Sequence, residues 1–170
     1  MKNKSFYLTS AFIFLATLMR LIPHPPNFTP IMSVALFSGC YFRSQAHAFL
    51  IPLVSIFLSD LVLGFHSSVW AVYLGLIGIV VIGSFIKDQK STTWIFLSSL
   101  VASFFFFLLT NFAVWTQAKI YPLTLDGLIQ CYYMGLPFLR NSVLANIFYS
   151  SILFSLYHLA SKKMLCNTLQ

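Results

Sequence analysis

The chain has 170 residues, of which 59% are hydrophobic and only 8% are charged, and its formal net charge is +7. An ordinary soluble domain has about 25% charged residues, so this composition argues against a soluble fold and predicts lipid as the solvent for most of the chain. The basic residues lie in short segments between apolar runs, which is typical of topology signals and not of a nucleic-acid-binding face. We therefore expect a single integral membrane domain over residues 1–170, with the lipid bilayer and no nucleic acid as partner.

Six apolar runs predict an all-α polytopic bundle of about six transmembrane helices. They cover approximately residues 5–22, 29–42, 48–64, 69–86, 92–115 and 138–160. No small-residue cleavage site follows the first run, which favours an uncleaved helix, with a signal peptide as the alternative. The second run is shorter than the roughly 20 residues of a full span, so it either begins within the membrane or is tucked among its neighbours.

Prolines and glycines divide and shape these runs. The prolines of residues 23–26 stop the first helix, and Pro52 is able to kink the third. Three glycines of the fourth run are expected to permit close helix packing: Gly75, Gly78 and Gly83. Residues 116–137 are mixed in character and predict a short interfacial or re-entrant segment before the last helix.

The distribution of lysine and arginine predicts the orientation. With both termini in the cytoplasm, the inner side carries Lys2, Lys4, Arg43, Lys87, Lys90, Lys162 and Lys163. The outer side then carries only Arg20, Lys119 and Arg140. The positive-inside rule therefore favours an N-in, C-in protein of the cell inner (plasma) membrane.

With this orientation, unusual polar residues gather at the outer ends of the helices. The candidate ligand-binding residues are His24, Asn27, Asp60, His66, Asn111, Trp115, Arg140 and Asn141. Asp60 is the only acidic residue inside an apolar run, where a carboxylate costs about 2.5–3.5 kcal/mol and usually faces a partner or a cavity. Arg20 and Arg140 are the available cations, so Asp60 is either a ligand-binding carboxylate or part of a structural ion pair.

The other candidates also have two interpretations. Arg140 and Asn141 begin a helix, where backbone donors favour an anion, although an arginine there could simply snorkel to the interface. Asn111 and Trp115 share a helix face and could bind a planar polar ligand. We favour the alternative, an interhelical hydrogen bond from the asparagine and an interfacial position for the tryptophan. A polar face on the last helix favours helix–helix hydrogen bonding over a cavity; it consists of Ser142, Asn146 and Ser150.

Metal and enzymatic sites have little support. Two histidines on separate loops near Asp60 are a weak signal for a metal. The three cysteines, Cys40, Cys131 and Cys166, have no C-x-x-C spacing, so neither a zinc site nor a disulfide framework is expected. The P-loop, H-E-x-x-H and G-x-S-x-G motifs are missing from the sequence. We predict no cofactor, no metal and no enzymatic activity.

Four ordered motifs resemble the signatures of a family of small, uncharacterised bacterial membrane proteins. They are the segments at residues 20–30 (RLIPHPPNFTP), 58–66 (LSDLVLGFH), 110–115 (TNFAVW) and 135–141 (GLPFLRN). That family is similar to the substrate-binding (S) components of energy-coupling-factor transporters. The resemblance implies a six-helix bundle that captures a vitamin, a precursor or a metal ion on the outer side. It also implies docking onto a coupling subunit with a pair of ATPases.

The sequence departs from that pattern at two places. Ala145 and Asn146 stand where the family often has Gly-Asp, which removes a negative charge. The first helix has Leu15 four residues after Ala11 and so lacks a small-xxx-small docking motif, whereas Ala35 and Gly39 on the second helix have that spacing.

These observations support three functional hypotheses. The first is a membrane-embedded small-solute binding protein, an S-component-like subunit of an importer, with residues 23–26 shaping a lid. The second is a membrane scaffold or accessory subunit without a small ligand, in which the polar cluster is structural. The third, an intramembrane enzyme using Asp60 and His66 as acid and base, has no supporting motif.

Overall fold

The computed structural model describes residues 2–65, 68–87, 91–117 and 119–166, and the side chains of residues 6–65, 68–87, 91–117 and 119–162. These residues form helices and turns and no strand. The helices are α1 (Lys2–Leu18), α2 (Ile31–Tyr41), α3 (Gln45–Leu63), α4 (Val69–Phe85), α5 (Thr92–Gln117) and α6 (Leu125–Cys166). A 3-10 turn, Met19–Leu21, continues α1. The all-α prediction is confirmed.

Consecutive helices run antiparallel, so the segments that connect them gather at two opposite ends of the bundle. At one end, Arg20 after α1 contacts Asp60 near the end of α3, and Tyr73 in the first turns of α4 contacts the same carboxylate. At the other end, Lys87 after α4 donates to the carbonyl oxygen of Phe42 after α2 at 2.7 Å. We call the first of these the cavity end and the second the opposite end.

The short helix α2 lies at the centre of the bundle and contacts all five other helices. Every residue from Ile31 to Cys40 is buried, and Pro30 precedes the first turn. A helix of 11 residues is about 16 Å long, which is about half the hydrocarbon thickness of a bilayer. The sequence left two interpretations of the second run, a helix that begins within the membrane or one surrounded by its neighbours. The burial of α2 supports the second interpretation.

Glycines bring α2 and α4 into backbone contact. A Cβ atom at Gly39 of α2 would overlap the carbonyl oxygen of Val80, and one at Gly83 of α4 would overlap the carbonyl oxygen of Leu36. Gly75 and Gly78 of α4 instead face the rings of Phe106 and Phe105 on α5. The prediction that the glycines of the fourth run permit close packing is confirmed. The structure adds that Gly83 and Gly39 face backbone, where no side chain is able to move aside.

The predicted separate segment before the last helix is wrong. Residues 125–137 are the first part of α6, one helix of 42 residues with Pro137 in its interior. Such a helix is about 63 Å long, roughly twice the hydrocarbon core of a bilayer. The mixed composition of this segment does not interrupt the helix, because its backbone packs directly against α5 through Gly135, next to Phe107 and Asn111.

Helix α6 contacts α5 on both sides of Pro137. Before the proline, Gly135 lies against Phe107 and Asn111 of α5. After it, Asn146 donates to the hydroxyl of Ser103 at 3.1 Å and to the carbonyl oxygen of Ser99 at 2.9 Å. An interior proline removes a backbone hydrogen bond and bends a helix.

Three of the described helices are long and apolar enough to cross a membrane: Gln45–Leu63, Thr92–Gln117 and Leu125–Lys162. The other three are apolar but shorter. Large apolar side chains cover the outward faces of the long helices, among them Val62 on α3, Val101 on α5 and Leu159 on α6. A soluble monomer rarely exposes apolar patches of more than a few hundred Å², so this surface fits the membrane environment expected from composition.

Candidate functional site

A cavity of about 380 Å³ lies at the cavity end, between α2, α4, α5 and α6. Its polar lining residues are Arg20, Asn27, Thr29, Ser68, Thr110, Asn111, Tyr121 and Cys131. Its apolar lining residues are Ile31, Val72, Phe106, Val114, Met134, Gly135 and Phe138. The volume and the mixture of apolar walls with a few polar groups are those of a small-molecule site.

Arg20 forms one wall of this cavity and is held from behind by Asp60. Its Nη1 donates to a carboxylate oxygen of Asp60 and, at 2.8 Å, to the hydroxyl of Ser59. The hydroxyl of Tyr73 donates to the other carboxylate oxygen at 2.7 Å. The Asp60 side chain is 4% exposed and that of Arg20 is 15% exposed, so the carboxylate is enclosed, whereas Arg20 keeps exposed surface and is the member of the pair that lines the cavity. The ion pair joins the end of α1 to α3, and Tyr73 adds α4.

Asn27 enters the cavity from the loop before α2. Its backbone φ of 61° lies in the left-handed region, which asparagine adopts more readily than most residues. The loop is fastened to α6, because the Asn141 side-chain amide donates to the carbonyl oxygen of Pro26 at 3.0 Å and Phe28 packs on the rings of Phe148 and Tyr149.

The opposite wall is a face of α5. Asn111 donates from Nδ2 to the carbonyl oxygen of Phe107 at 2.9 Å, which leaves its Oδ1 as an acceptor beside Gly135. The hydroxyl of Thr110 donates to the carbonyl oxygen of Phe106 at 2.8 Å, and therefore also offers lone pairs to the cavity. Val114 continues this face by one turn.

The structure brings some of the predicted residues together and not others. Asn27 and Asn111 line the cavity, and Asp60 lies behind its arginine wall. Trp115 instead donates from Nε1 to the carbonyl oxygen of Pro122 at 2.9 Å, which fastens the loop between α5 and α6. Arg140 is exposed and forms no ion pair with any described residue.

Neither of the two predicted histidines is among the described residues that line the cavity. His24 is exposed, and its ring Nδ1 lies 2.6 Å from the carbonyl oxygen of Ile22 in its own loop. His66 lies outside the described residues. Within the described part of the chain, no group of three histidine, cysteine or acidic side chains is placed to hold a metal ion.

Several residues of the site were missed as lining or positioning groups. Arg20, expected as an outer-end cation and a partner for Asp60, also lines the cavity. Thr110 could have been found from its position beside Asn111 on the same predicted helix end. Tyr73 carries no sequence signal, because one tyrosine in an apolar run is most simply an aromatic filler, and Ser68 and Tyr121 lie in turns whose positions depend on the folded bundle.

The family of the chain follows from its sequence over nearly the whole length. A family of unknown function, DUF6580, matches residues 1–168. The chain belongs to this family. The resemblance to an uncharacterised family, inferred from four motifs, is thereby confirmed. No curated protein and no solved structure matches the chain.

In this DUF6580 member, the polar face of α6 makes a second polar cluster, separate from the cavity. Asn146 is fully buried: Ser33 and Ser150 donate to its Oδ1 at 2.9 and 3.3 Å, and its Nδ2 donates to Ser99 and Ser103. These bonds join α2, α5 and α6. They agree with the expected helix–helix hydrogen bonding, because the amide oxygen and nitrogen of Asn146 both have partners.

Proposed function

We propose that this protein is a polytopic protein of the plasma membrane that captures a small solute in the cavity. In this proposal six helices lie in the bilayer, the termini are cytoplasmic and the cavity end faces outward. The central helix α2 is too short to cross alone, and its neighbours surround it. The observation that carries the proposal is the cavity itself, where polar groups from the 3-10 turn, from three connecting segments and from helices α5 and α6 converge.

Solute capture explains why these polar groups lie where they do. Uncompensated polar groups within an apolar bundle cost free energy, and intramembrane ionisable residues usually face a cavity or a partner. Three groups of the site have no described protein partner. They are the side-chain oxygen of Asn111, the side chain of Asn27 and the Nε and Nη2 groups of Arg20. A solute or water in the cavity would supply those hydrogen bonds.

We further propose that capture serves import, by analogy with the S components that the motifs resemble. The sequence has no P-loop, so the chain would need a separate coupling subunit and ATPases to drive transport. The support for this step is the resemblance and the proposed six-helix arrangement.

The alternative function is a membrane scaffold or accessory subunit without a small ligand. The observation that favours it is that the buried Asp60 carboxylate and the buried Asn146 amide both have protein partners on their oxygens, and the Asn146 nitrogen has them as well. In that case the cavity would hold only water or lipid.

The experiment that tests solute capture is mass spectrometry of the small molecules that remain bound to the detergent-purified protein. The variant Val114→Phe places a ring in the cavity, so we expect it to lose a compound that the wild-type protein retains. Val101→Phe is the matched control, because Val101 lies on the same helix but is 56% exposed on its outer face. It should retain the compound.

Two results would contradict capture: no compound retained by the wild-type protein, or equal retention by both variants. Either result would favour the scaffold function. Thermal unfolding of the three proteins shows whether Val114→Phe remains folded, since loss of the compound is meaningful only from a folded variant.

A further inference from the structure

We infer that the cavity selects solutes that carry an acidic group, which Arg20 binds, attached to an apolar or aromatic body. The inference rests on the proposed solute capture and specifies its ligand class. It follows from the charges at the cavity wall, from the hydrogen bonds that Arg20 leaves unused and from the side chains of the remaining walls.

The charge exposed to the cavity is positive. Among the lining residues that the structure describes, Arg20 is the one charged residue and none is acidic. Asp60 is enclosed behind the guanidinium, with one oxygen bound to Arg20 and the other to Tyr73. The ion pair is neutral as a whole, but its cationic member faces the cavity and its anionic member does not. A bound cation would therefore approach the guanidinium before it could reach the carboxylate.

Arg20 also has donors to spare. A guanidinium carries five N–H groups in a fixed plane. Towards the described residues, only Nη1 is engaged, by Ser59 and Asp60. The N–H groups of Nε and Nη2 have no described acceptor. A carboxylate or phosphate accepts such a pair of donors in a bidentate geometry. Because Asp60 and Ser59 hold the guanidinium from behind, little side-chain entropy remains to be lost when an anion binds.

The rest of the cavity suits an apolar body. Phe106 and Phe138 bring aromatic rings, and Ile31, Val72 and Val114 bring aliphatic surface. The oxygens of Asn111 and Thr110 are acceptors on the α5 wall, where they suit a hydroxyl or N–H group of the solute.

The test compares three probes of similar shape and different charge: benzoate, benzamide and benzylamine. Binding of each radiolabelled probe is measured by equilibrium dialysis on full-length protein in lipid nanodiscs, with empty nanodiscs as the background. We expect benzoate to bind about tenfold or more tightly than benzylamine, because only benzoate forms charge-assisted hydrogen bonds with Arg20. Benzamide, which has the oxygen but not the charge, should lie between them.

Variants assign the selectivity to Arg20. Arg20→Gln should lower benzoate affinity about tenfold or more and abolish the preference over benzylamine. Arg20→Lys keeps the charge opposite Asp60 but loses the planar fork, so it should retain part of the preference even if Arg20→Gln fails to fold. Val114→Phe should lose all probe binding, and Val101→Phe should bind as the wild-type protein does.

The possible failures are distinguishable. Benzylamine binding as tightly as benzoate, with both lost in Val114→Phe, would overturn acid selection and leave solute capture standing. Unchanged benzoate binding in a folded Arg20→Gln variant would overturn the role of Arg20. No benzoate binding above empty nanodiscs would also overturn the inference, whereas solute capture would still be decided by the compound retained during purification.

Discussion

At the scale of single residues, Asp60 and Asn146 show how buried polar groups are satisfied in this bundle. Asp60 accepts hydrogen bonds from Arg20 and Tyr73, which lie on two other segments. Asn146 accepts from Ser33 of α2 and from a serine of its own helix, and it donates to α5. The two groups differ in where their partners lie. The partners of Asn146 are all buried serines, whereas Arg20, a partner of Asp60, lines the cavity.

Substitution of Asp60 tests the structural part of this arrangement. Asp60→Asn keeps the size of the side chain but leaves the largely buried guanidinium without its counter-charge, so we expect the free energy of unfolding to fall by about 2 kcal/mol. The measurement is an SDS-unfolding titration in mixed micelles. Asp126→Asn is the control, since Asp126 is exposed in the first turn of α6 and should cost about 0.5 kcal/mol. Equal unfolding of Asp60→Asn and wild type would mean that the ion pair does not stabilise the fold.

At the scale of helices, the contact between α2 and α4 depends on backbone surfaces that only glycine permits. Gly83 faces the carbonyl oxygen of Leu36, while Gly78 on the same helix faces the ring of Phe105, which is itself exposed. The exposed ring is free to rotate away from a new methyl group, but the backbone of the central helix is not. The identity of the neighbour therefore decides the effect of the same substitution.

Alanine at these two glycines should have opposite effects on stability. Both substitutions gain up to about 1 kcal/mol of helix propensity. For Gly78→Ala that gain should persist, whereas Gly83→Ala should be destabilised by about 1–3 kcal/mol, because overpacking forces α2 and α4 apart. Unfolding titrations of the two variants measure the difference. If Gly83→Ala proves as stable as Gly78→Ala, then α2 and α4 do not pack as closely as described.

At the scale of the whole molecule, the two ends of the bundle differ in charge and in architecture. The cavity end carries Arg20, Lys119 and Arg140 in the sequence, and the opposite end carries the larger set of lysines and Arg43. With the positive-inside rule this distribution predicts that the cavity faces outward, as we propose. Three helices are long enough to span a bilayer. For the three shorter helices, a location within the membrane is inferred from the burial of α2 and from the antiparallel order of the bundle.

Side-specific labelling tests this orientation. In a variant with Cys40, Cys131 and Cys166 replaced by alanine, a single cysteine is introduced at Leu123 or at Ser44, both exposed and at opposite ends. A membrane-impermeant maleimide applied to intact cells should label Leu123→Cys only, and should label Ser44→Cys only after the membrane is opened. Labelling of both positions in intact cells would contradict an antiparallel bundle that spans the membrane, and the reverse pattern would invert it.

The sequence by itself determined the helical class, the approximate helix bounds, the glycine contacts of α4 and the gathering of polar residues at one end. These properties follow from local composition and periodicity, since apolar runs, prolines and glycines act within a few residues of their positions. The sequence also predicted Asn27 and Asn111 at the right end of the bundle. It failed on residues 125–137, because a mixed composition does not reveal that a helix continues through Pro137 against a neighbouring helix.

Only the tertiary structure decided which polar residues meet and which of them face the cavity. Arg20 and Arg140 have the same charge and the same predicted depth, and only the packing of α1 against α3 selects Arg20 as the partner of Asp60. Likewise, Trp115 and Asn141 fasten loops instead of lining the cavity, because their direction depends on the rotation of α5 and the path of α6. Such choices depend on contacts between residues that are far apart in the chain, which periodicity along one helix does not encode.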